Sequence, residues 1–464
     1  MLYHLFVPLE KLLSGFRLFR YVSFRAAFAA ILAFLVATIV GPGIVKSLRA
    51  RKIAGTVLTG SAVVDDERMR KSGTPTMGGV ILLIGVSLSS LLFVRLDTPY
   101  TWAAILAFLA FGALGAADDW KKLTVPKSKG MSEKKKLLGQ LLISVAVLGT
   151  LHAFGSADDD KPWLRGAAMK ASPYPEQWVK RHEVSAGEDY ESIARHYLLD
   201  ASRAHEIAER NAGVRRDGTI VAPSVGTVVE LPPPSTDAHD HHRADLQLPF
   251  TKRFCLDLGL FLIPFGILVI VGTSNAVNLT DGLDGLAIGC TATVAVTLTV
   301  VAYLVGRVDF ARDLYLFHVA EGGELAIIGA ALAGGSLGFL WFNGYPASVF
   351  MGDTGALAIG GILGVLAVAL RHEVTLLLTG GIFVVEAVSV IGQRFWFKRT
   401  KRAAIRAGVP NPTGRRWLRC APLHHHFQQT PPPAGPMHEN KVTVRFWIVS
   451  VVCALVALAT LKVR

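Results

Sequence analysis

Two carboxylates and two carboxamides fall within ten residues in Asn275-Ala-Val-Asn278-Leu-Thr-Asp281-Gly-Leu-Asp284-Gly. A polar turn joining two helices needs one Asn or Gly, so this density of oxygen donors points to chemistry. A second acid site is Asp118-Asp119, whose adjacent carboxylates repel unless a divalent cation or a proton lies between them. A third is Asp353, in Phe350-Met-Gly-Asp353-Thr-Gly355, with Asn343 shortly before it. Hard oxygen donors without a Cys/His set favour Mg²⁺ or Mn²⁺ over zinc. Magnesium commonly binds through one or two carboxylates plus substrate phosphates, which suits a nucleotide-diphosphate substrate.

Cations and hydroxyls accompany the acids. Lys71-Ser-Gly-Thr-Pro-Thr76-Met-Gly78-Gly79 offers a Lys, hydroxyls and backbone N–H groups where a helix begins, a place that can hold a phosphate. Its spacing is not that of a P-loop, and a plain helix start is the alternative. In Pro422-Leu-His424-His425-His426-Phe427 three histidines are consecutive. Chain neighbours rarely converge on one tetrahedral zinc site, so phosphate contact, acid/base work or loop packing fits them better. The four cysteines show no paired spacing, which argues against a disulfide framework or a zinc ribbon.

The elements that must position these residues are apolar. The 464-residue chain is 51% hydrophobic, with mean hydropathy +0.42, and about ten of its runs are long enough to suggest spans. They begin at Phe24–Val40 and end at Val442–Leu461, and include Thr76–Val94, Phe254–Gly272 and Thr375–Phe397. An all-α polytopic membrane protein is expected. The net charge of +13 comes from Lys and Arg clustered beside the runs, as topology signals and anionic-lipid contacts do, so no nucleic-acid partner is expected. With ten spans and an outside N-terminus, the acid motifs and the most basic loops share the cytoplasmic face. Without a small-residue cleavage site, no removable signal peptide is expected.

Composition changes over residues 155–251, a polar insert that parity places outside the membrane. It separates a first transmembrane part, 1–154, from a second, 252–464. Within the insert, strand, helix, helix and strand patterns follow one another between Arg181 and Pro232. Val184-Ser-Ala-Gly187-Glu-Asp-Tyr190-Glu-Ser-Ile193-Ala194, then Asn211, then Gly226-Thr-Val-Val-Glu-Leu-Pro232 resembles a LysM domain. That resemblance implies a β-α-α-β unit that binds peptidoglycan; a spacer that no longer binds sugar is the alternative.

Six motifs in order resemble the phospho-N-acetylmuramoyl-pentapeptide transferases. They are the Lys71–Gly79 segment, Asp118-Asp119-x-x-Lys122, Lys129-Gly130 with Lys136-x-x-x-Gln140, Asn275–Gly285, Asn343 through Asp353, and Pro422–Phe427. The resemblance implies Mg²⁺-dependent transfer of phospho-N-acetylmuramoyl-pentapeptide from UDP to undecaprenyl phosphate, giving lipid I and UMP at a bacterial inner membrane. It implies Asp353 as a direct Mg²⁺ ligand, with Asp281 at the metal and Asp118 deprotonating or positioning the lipid phosphate beside Asp119. Asn278, Asp281, Asp284 and Asn343 shape the nucleotide site on this reading, and Phe350 stacks on uracil. Lys71, Thr76, Lys122, Lys136 and His424, with His425 and His426, contact phosphate or sugar-peptide. A homodimer is the expected assembly.

The chain departs from that family in three places. Gln428 follows His-His-His-Phe where Glu is usual, Ala403–Arg419 is longer and more basic, and Ala54–Arg68 lacks the usual Gln/Arg/Asp-Gly-Pro pattern. A GlcNAc-1-phosphate transferase is the nearest rival, opposed by Pro-Leu-His-His-His-Phe. An ion-coupled transporter would carry acids within spans and in repeated halves, which the sequence does not show.

Overall fold

A computed structural model describes residues 1–51, 73–125, 128, 130–154, 168–171, 181–198, 201–215, 219–232, 245–248, 254–314, 316–429 and 435–462. Lys71 and Lys129 lie outside the described residues. The chain forms two compact units. One comprises Met1–Gly155, Ile263–Tyr303 and Glu321–Leu458; the other comprises Ser156–Leu262, Leu304–Ala320 and Ala459–Arg464.

The long helices of the first unit are α1 (Val22–Ala50), α2 (Gly79–Phe93), α3 (Pro99–Thr124) and α4 (Glu133–Phe154). After the insert come α7 (Leu262–Thr280), α8 (Leu286–Val305), α9 (Gly322–Asn343) and α10 (Gly352–Ala369). The last are α11 (Glu373–Thr379), α12 (Gly381–Arg406), the short α13 (Leu423–Gln428) and α14 (Glu439–Thr460). The protein is therefore a mostly helical, multi-pass membrane protein.

The runs expected to span, about ten, coincide with α1–α4, α7–α10, the α11–α12 pair and α14. Among the described residues eight helices are long and apolar enough to cross a membrane, and α11 with α12 makes a ninth if that pair, bent by 84°, is one span. Helix α2 has 15 residues, about 22 Å of rise against roughly 30 Å of hydrocarbon. The run expected to start a span at Phe254 opens instead as a strand, Phe254–Asp257, and its helix begins at Leu262. Asp257 and Gly259 interrupt the apolar pattern there.

Helices α9 and α10 are buried almost throughout, with α9 packed on α1 and α10 on α3. Their Gly and Ala residues make that possible, since small side chains let backbones approach in a membrane where hydrocarbon burial discriminates little. Near the starts of α1 and α9, Arg25 holds Glu324 through two bonds of 2.8 and 2.7 Å. Glu324 also accepts the Arg95 N–H at 2.7 Å, and Arg25 donates to the Phe93 carbonyl at 3.1 Å. Each buried charge is thus met by both an opposite charge and a backbone dipole, the condition under which such a pair is tolerated.

In the second unit β1 (Ala168–Ala171), β5 (Phe254–Asp257) and β4 (Asp245–Gln247) form an antiparallel sheet in the order β1-β5-β4. Between them, β2 (Arg181–Glu183), α5 (Tyr190–Tyr197), α6 (Ala204–Arg210) and β3 (Val228–Glu230) follow in sequence, with β2 paired antiparallel to β3. Asp189 begins α5 with a capping box: its carboxylate accepts the Ser192 N–H at 2.7 Å while Ser192 Oγ accepts the Asp189 N–H at 2.9 Å. Val184, Tyr190, Ile193, Ile207, Val229 and Leu231 close a core of their own. Ile207 is fully buried, so Ile207→Ala is expected to cost about 2–5 kcal/mol. Amide hydrogen exchange should show the loss as weakened protection across Val184–Leu231.

Candidate active site

The C-terminal end of α3 meets the N-terminal end of α10. One carboxylate oxygen from each of Asp118, Asp119 and Asp353 lies within 4.8 Å of the others. Two lysines enter the cluster. Lys122, one turn after Asp118, places Nζ 2.6 Å from Asp118, 3.1 Å from Asp353 and 3.5 Å from Asp119. Lys136, from the first turn of α4, donates to Asp353 and lies 3.4 Å from Asp118. Three anions and two cations leave one net negative charge, and the donors are the hard oxygens that a divalent ion prefers.

The acids differ in what else they do. Asp119 accepts the N–H groups of Asp353 at 3.2 Å and Thr354 at 2.9 Å, and the Thr354 hydroxyl at 2.7 Å. It therefore caps α10 from another helix, supplying what the orphan N–H groups of a helix start require. Asp118 accepts the Met131 N–H at 2.6 Å, which draws the loop before α4 over the cluster. Glycines permit the approach: a Cβ on Gly115 would overlap the Asp353 carbonyl, and one on Gly79 would overlap the Gly355 backbone.

Thr76 lies beside Gly352, since its hydroxyl oxygen is 2.9 Å from where a Gly352 Cβ would be. The expectation that the start of α2 offers its amides to a phosphate is corrected for two of them. Gly78 N–H donates to the Phe350 carbonyl at 2.8 Å and Gly79 N–H to that of Met351 at 3.0 Å, while Phe350 N–H donates to Pro75. The two motifs are laced backbone to backbone, and the Phe350 side chain is half-buried.

The turn after α7 carries Asp281. Loss of hydration, then the charges of Asp353, Asp119 and Asp284, push its carboxyl up to about 8. Asp281 feels the cluster without being one of its three converging carboxylates. Asn278 is half-buried near the end of α7. Asp284 and Asn343 are buried and hold backbone: Asp284 accepts the Ala347 N–H at 3.0 Å, and Asn343 accepts the Gly285 N–H at 3.1 Å and donates to Val349. His424 is fully buried against Gly282, where a Cβ would overlap its ring. His425 pairs with Gln428 at 2.6 Å, and His426 accepts the Arg419 N–H at 3.2 Å. Burial, then Arg419, hold His426 below the usual histidine range.

Residues 71–83 match the phospho-N-acetylmuramoyl-pentapeptide-transferase signature 1, and residues 238–371 match the model of glycosyl transferase family 4. The chain is 34% identical to the phospho-N-acetylmuramoyl-pentapeptide-transferase of Maridesulfovibrio salexigens. It is 37% identical to the one from Granulibacter bethesdensis and 36% identical to the one from Citrifermentans bemidjiense. Each comparison covers 100% of both chains. The chain belongs to the phospho-N-acetylmuramoyl-pentapeptide-transferase family.

For a transferase of this family, the structure adds two residues that sequence reasoning missed, Glu386 and Glu439, and gives a partner to Gln140 of the Lys136 motif. Glu386, fully buried on α12, accepts the N–H groups of Leu423 at 2.7 Å and His424 at 3.0 Å, and lies 3.3 Å from His424 Nδ1. It caps α13 from a spanning helix and so fixes where the histidines stand. Its one sequence signal is an acid inside an apolar run. Gln140 joins α4 to α7, accepting from Asn275 at 2.9 Å, and Glu439 accepts the Asp284 N–H at 2.6 Å. Glu386→Ala strips two helix-start N–H groups of their acceptor; it is expected to lower turnover by about tenfold or more and to loosen α13, with Glu386→Gln recovering part of both. Steady-state turnover and hydrogen exchange over Leu423–Gln428 would check this.

Proposed function

We propose that this transferase moves phospho-N-acetylmuramoyl-pentapeptide from UDP to undecaprenyl phosphate, forming lipid I and UMP at the cytoplasmic face of a bacterial inner membrane. The observation that carries the reading is the meeting of Asp118, Asp119 and Asp353 with Lys122 and Lys136. The donor set fits Mg²⁺, which when bound at Asp353 and its neighbours would neutralise diphosphate charge.

Lys122 and Lys136 are placed to hold anionic phosphate oxygens that displace their present carboxylate partners. Asp118 positions the lipid phosphate. Asp119 keeps the start of α10, and so Asp353, in register. An oxygen of the lipid phosphate attacks the sugar-linked phosphorus; a new P–O bond forms as the bond to the bridging oxygen breaks, and UMP leaves with that oxygen. Such a transfer needs positioning and charge neutralisation more than a strong base, because the nucleophile is already anionic.

The test is UMP release by purified protein with undecaprenyl phosphate and Mg²⁺. Release from UDP-N-acetylmuramoyl-pentapeptide is expected; release from UDP-GlcNAc alone would overturn the reading. The insert, with its separate core, is proposed to bind peptidoglycan outside the membrane. Failure of residues 181–232 to sediment with peptidoglycan would count against that.

A further inference from the structure

The stretch between Glu386 and Glu439 contains no acidic residue, yet nine Lys and Arg side chains lie from Arg394 to Arg419. Ordinary topology signals need only a few cations at a span end. Here the cations sit on a built surface. Helix α12 runs on to Arg406, and the chain after it folds back along the same helix. Gln393 accepts the N–H groups of Trp417 and Leu418, each at 2.9 Å, and donates to the Leu418 carbonyl at 2.8 Å. Arg415 N–H donates to Thr400 Oγ1 at 2.8 Å, and a Cβ on Gly414 would overlap the Phe397 carbonyl.

The surface faces outward with no counter-charge of its own. Among the described residues none of the nine cations pairs with a carboxylate. Aromatic rings alternate with them: Phe395 is 64% exposed, Trp396 44% and Trp417 67%. Large exposed rings interleaved with Lys and Arg form the arrangement that settles at a lipid headgroup layer, where rings sit among glycerol groups and long cationic side chains reach phosphates.

We propose that residues 394–419 form a platform that docks on anionic phospholipid headgroups at the membrane face where α12 emerges. Single-stranded RNA is also bound by cations and aromatic rings. The lipid surface is favoured because the platform continues a candidate span, which brings headgroups within its reach. This inference goes beyond the transfer reaction and does not depend on it.

The test uses the full chain in nanodiscs of phosphatidylcholine and phosphatidylglycerol, with trace spin-labelled forms of each, reading the relative preference for lipid at the protein surface. Wild type is expected to prefer phosphatidylglycerol by about threefold, and added salt to weaken the preference. The variant R399Q/K401Q/R402Q/R415Q/R416Q should move toward parity. The charge-keeping variant R399K/R402K/R415K/R416K should retain the preference, which separates lost charge from lost fold. Inorganic phosphate at matched ionic strength should leave it intact. Four outcomes would overturn the proposal: no preference in wild type, full preference in the neutralised variant, abolition by free phosphate, or tight binding of a U-rich oligoribonucleotide that this variant alone loses while its lipid preference stays unchanged.

Discussion

Asp353→Ala is expected to lower kcat by about 10²- to 10³-fold, with much smaller change in KM for the nucleotide donor. Asp353 is the acid that α10 contributes to the cluster, and its Oδ2 is the atom on which both Lys122 and Lys136 converge. Its removal leaves Asp118 and Asp119, both on α3, facing the lysines without the third carboxylate. The fold should survive, because the capping bonds to Asp119 come from the Asp353 and Thr354 backbone and the Thr354 hydroxyl. Asp119→Ala should behave differently, lowering the unfolding temperature as well as turnover by uncapping α10. Single-turnover UMP release with thermal unfolding on the same samples separates the two. If the Asp353 variant turned over at wild-type rate, the acid cluster would not be the reaction centre.

The second large effect is expected from a residue with no chemistry of its own. Gly115→Ala adds one methyl group where the Asp353 carbonyl already sits. Both neighbours are helix backbone, so the clash is relieved only by moving α3 and α10 apart. A displacement on the order of 1 Å can cost about 10²-fold in rate when reacting groups must be held in line. Gly149→Ala on α4, whose Cβ would meet nothing within 4 Å, is the matched control and should keep wild-type turnover. Equal activity in the two variants would mean that this helix contact does not set the position of Asp353.

Much of the architecture was legible because a bilayer imposes length and apolarity on whatever crosses it. What escaped reading depends on distance between chain segments. The 84° bend at Gly380 falls inside what reads as a single apolar run, Thr375–Phe397. The strand at Phe254–Asp257 pairs with nearby β4 and with β1, which lies far back along the chain. At the site, residue type drew notice to Asp118, Asp119 and Asp353 as oxygen donors, and the family resemblance was needed to give them roles. Residue type was not enough to sort their tasks. That Asp119 is spent on a helix start, or that Asp281 stands beside the three-acid cluster rather than in it, follows from where α10 begins in space. Glu386 was passed over because it lies alone within an apolar segment, and its worth comes from partners many residues away.

The pairing of β1 with β5 has a consequence for how such a chain acquires extra parts. Ala168 faces Asp257 and Ala171 faces Phe254 across one antiparallel ladder, so everything threaded between Ala171 and Phe254 starts and finishes about 4.8 Å apart. A tight hairpin would impose the same spacing. The ladder thus serves as a socket, into which evolution or an engineer can graft modules of very different size while the ends handed back to the helices stay adjacent. A membrane enzyme with such a socket can change the module it carries there without renegotiating the packing that holds its acids together.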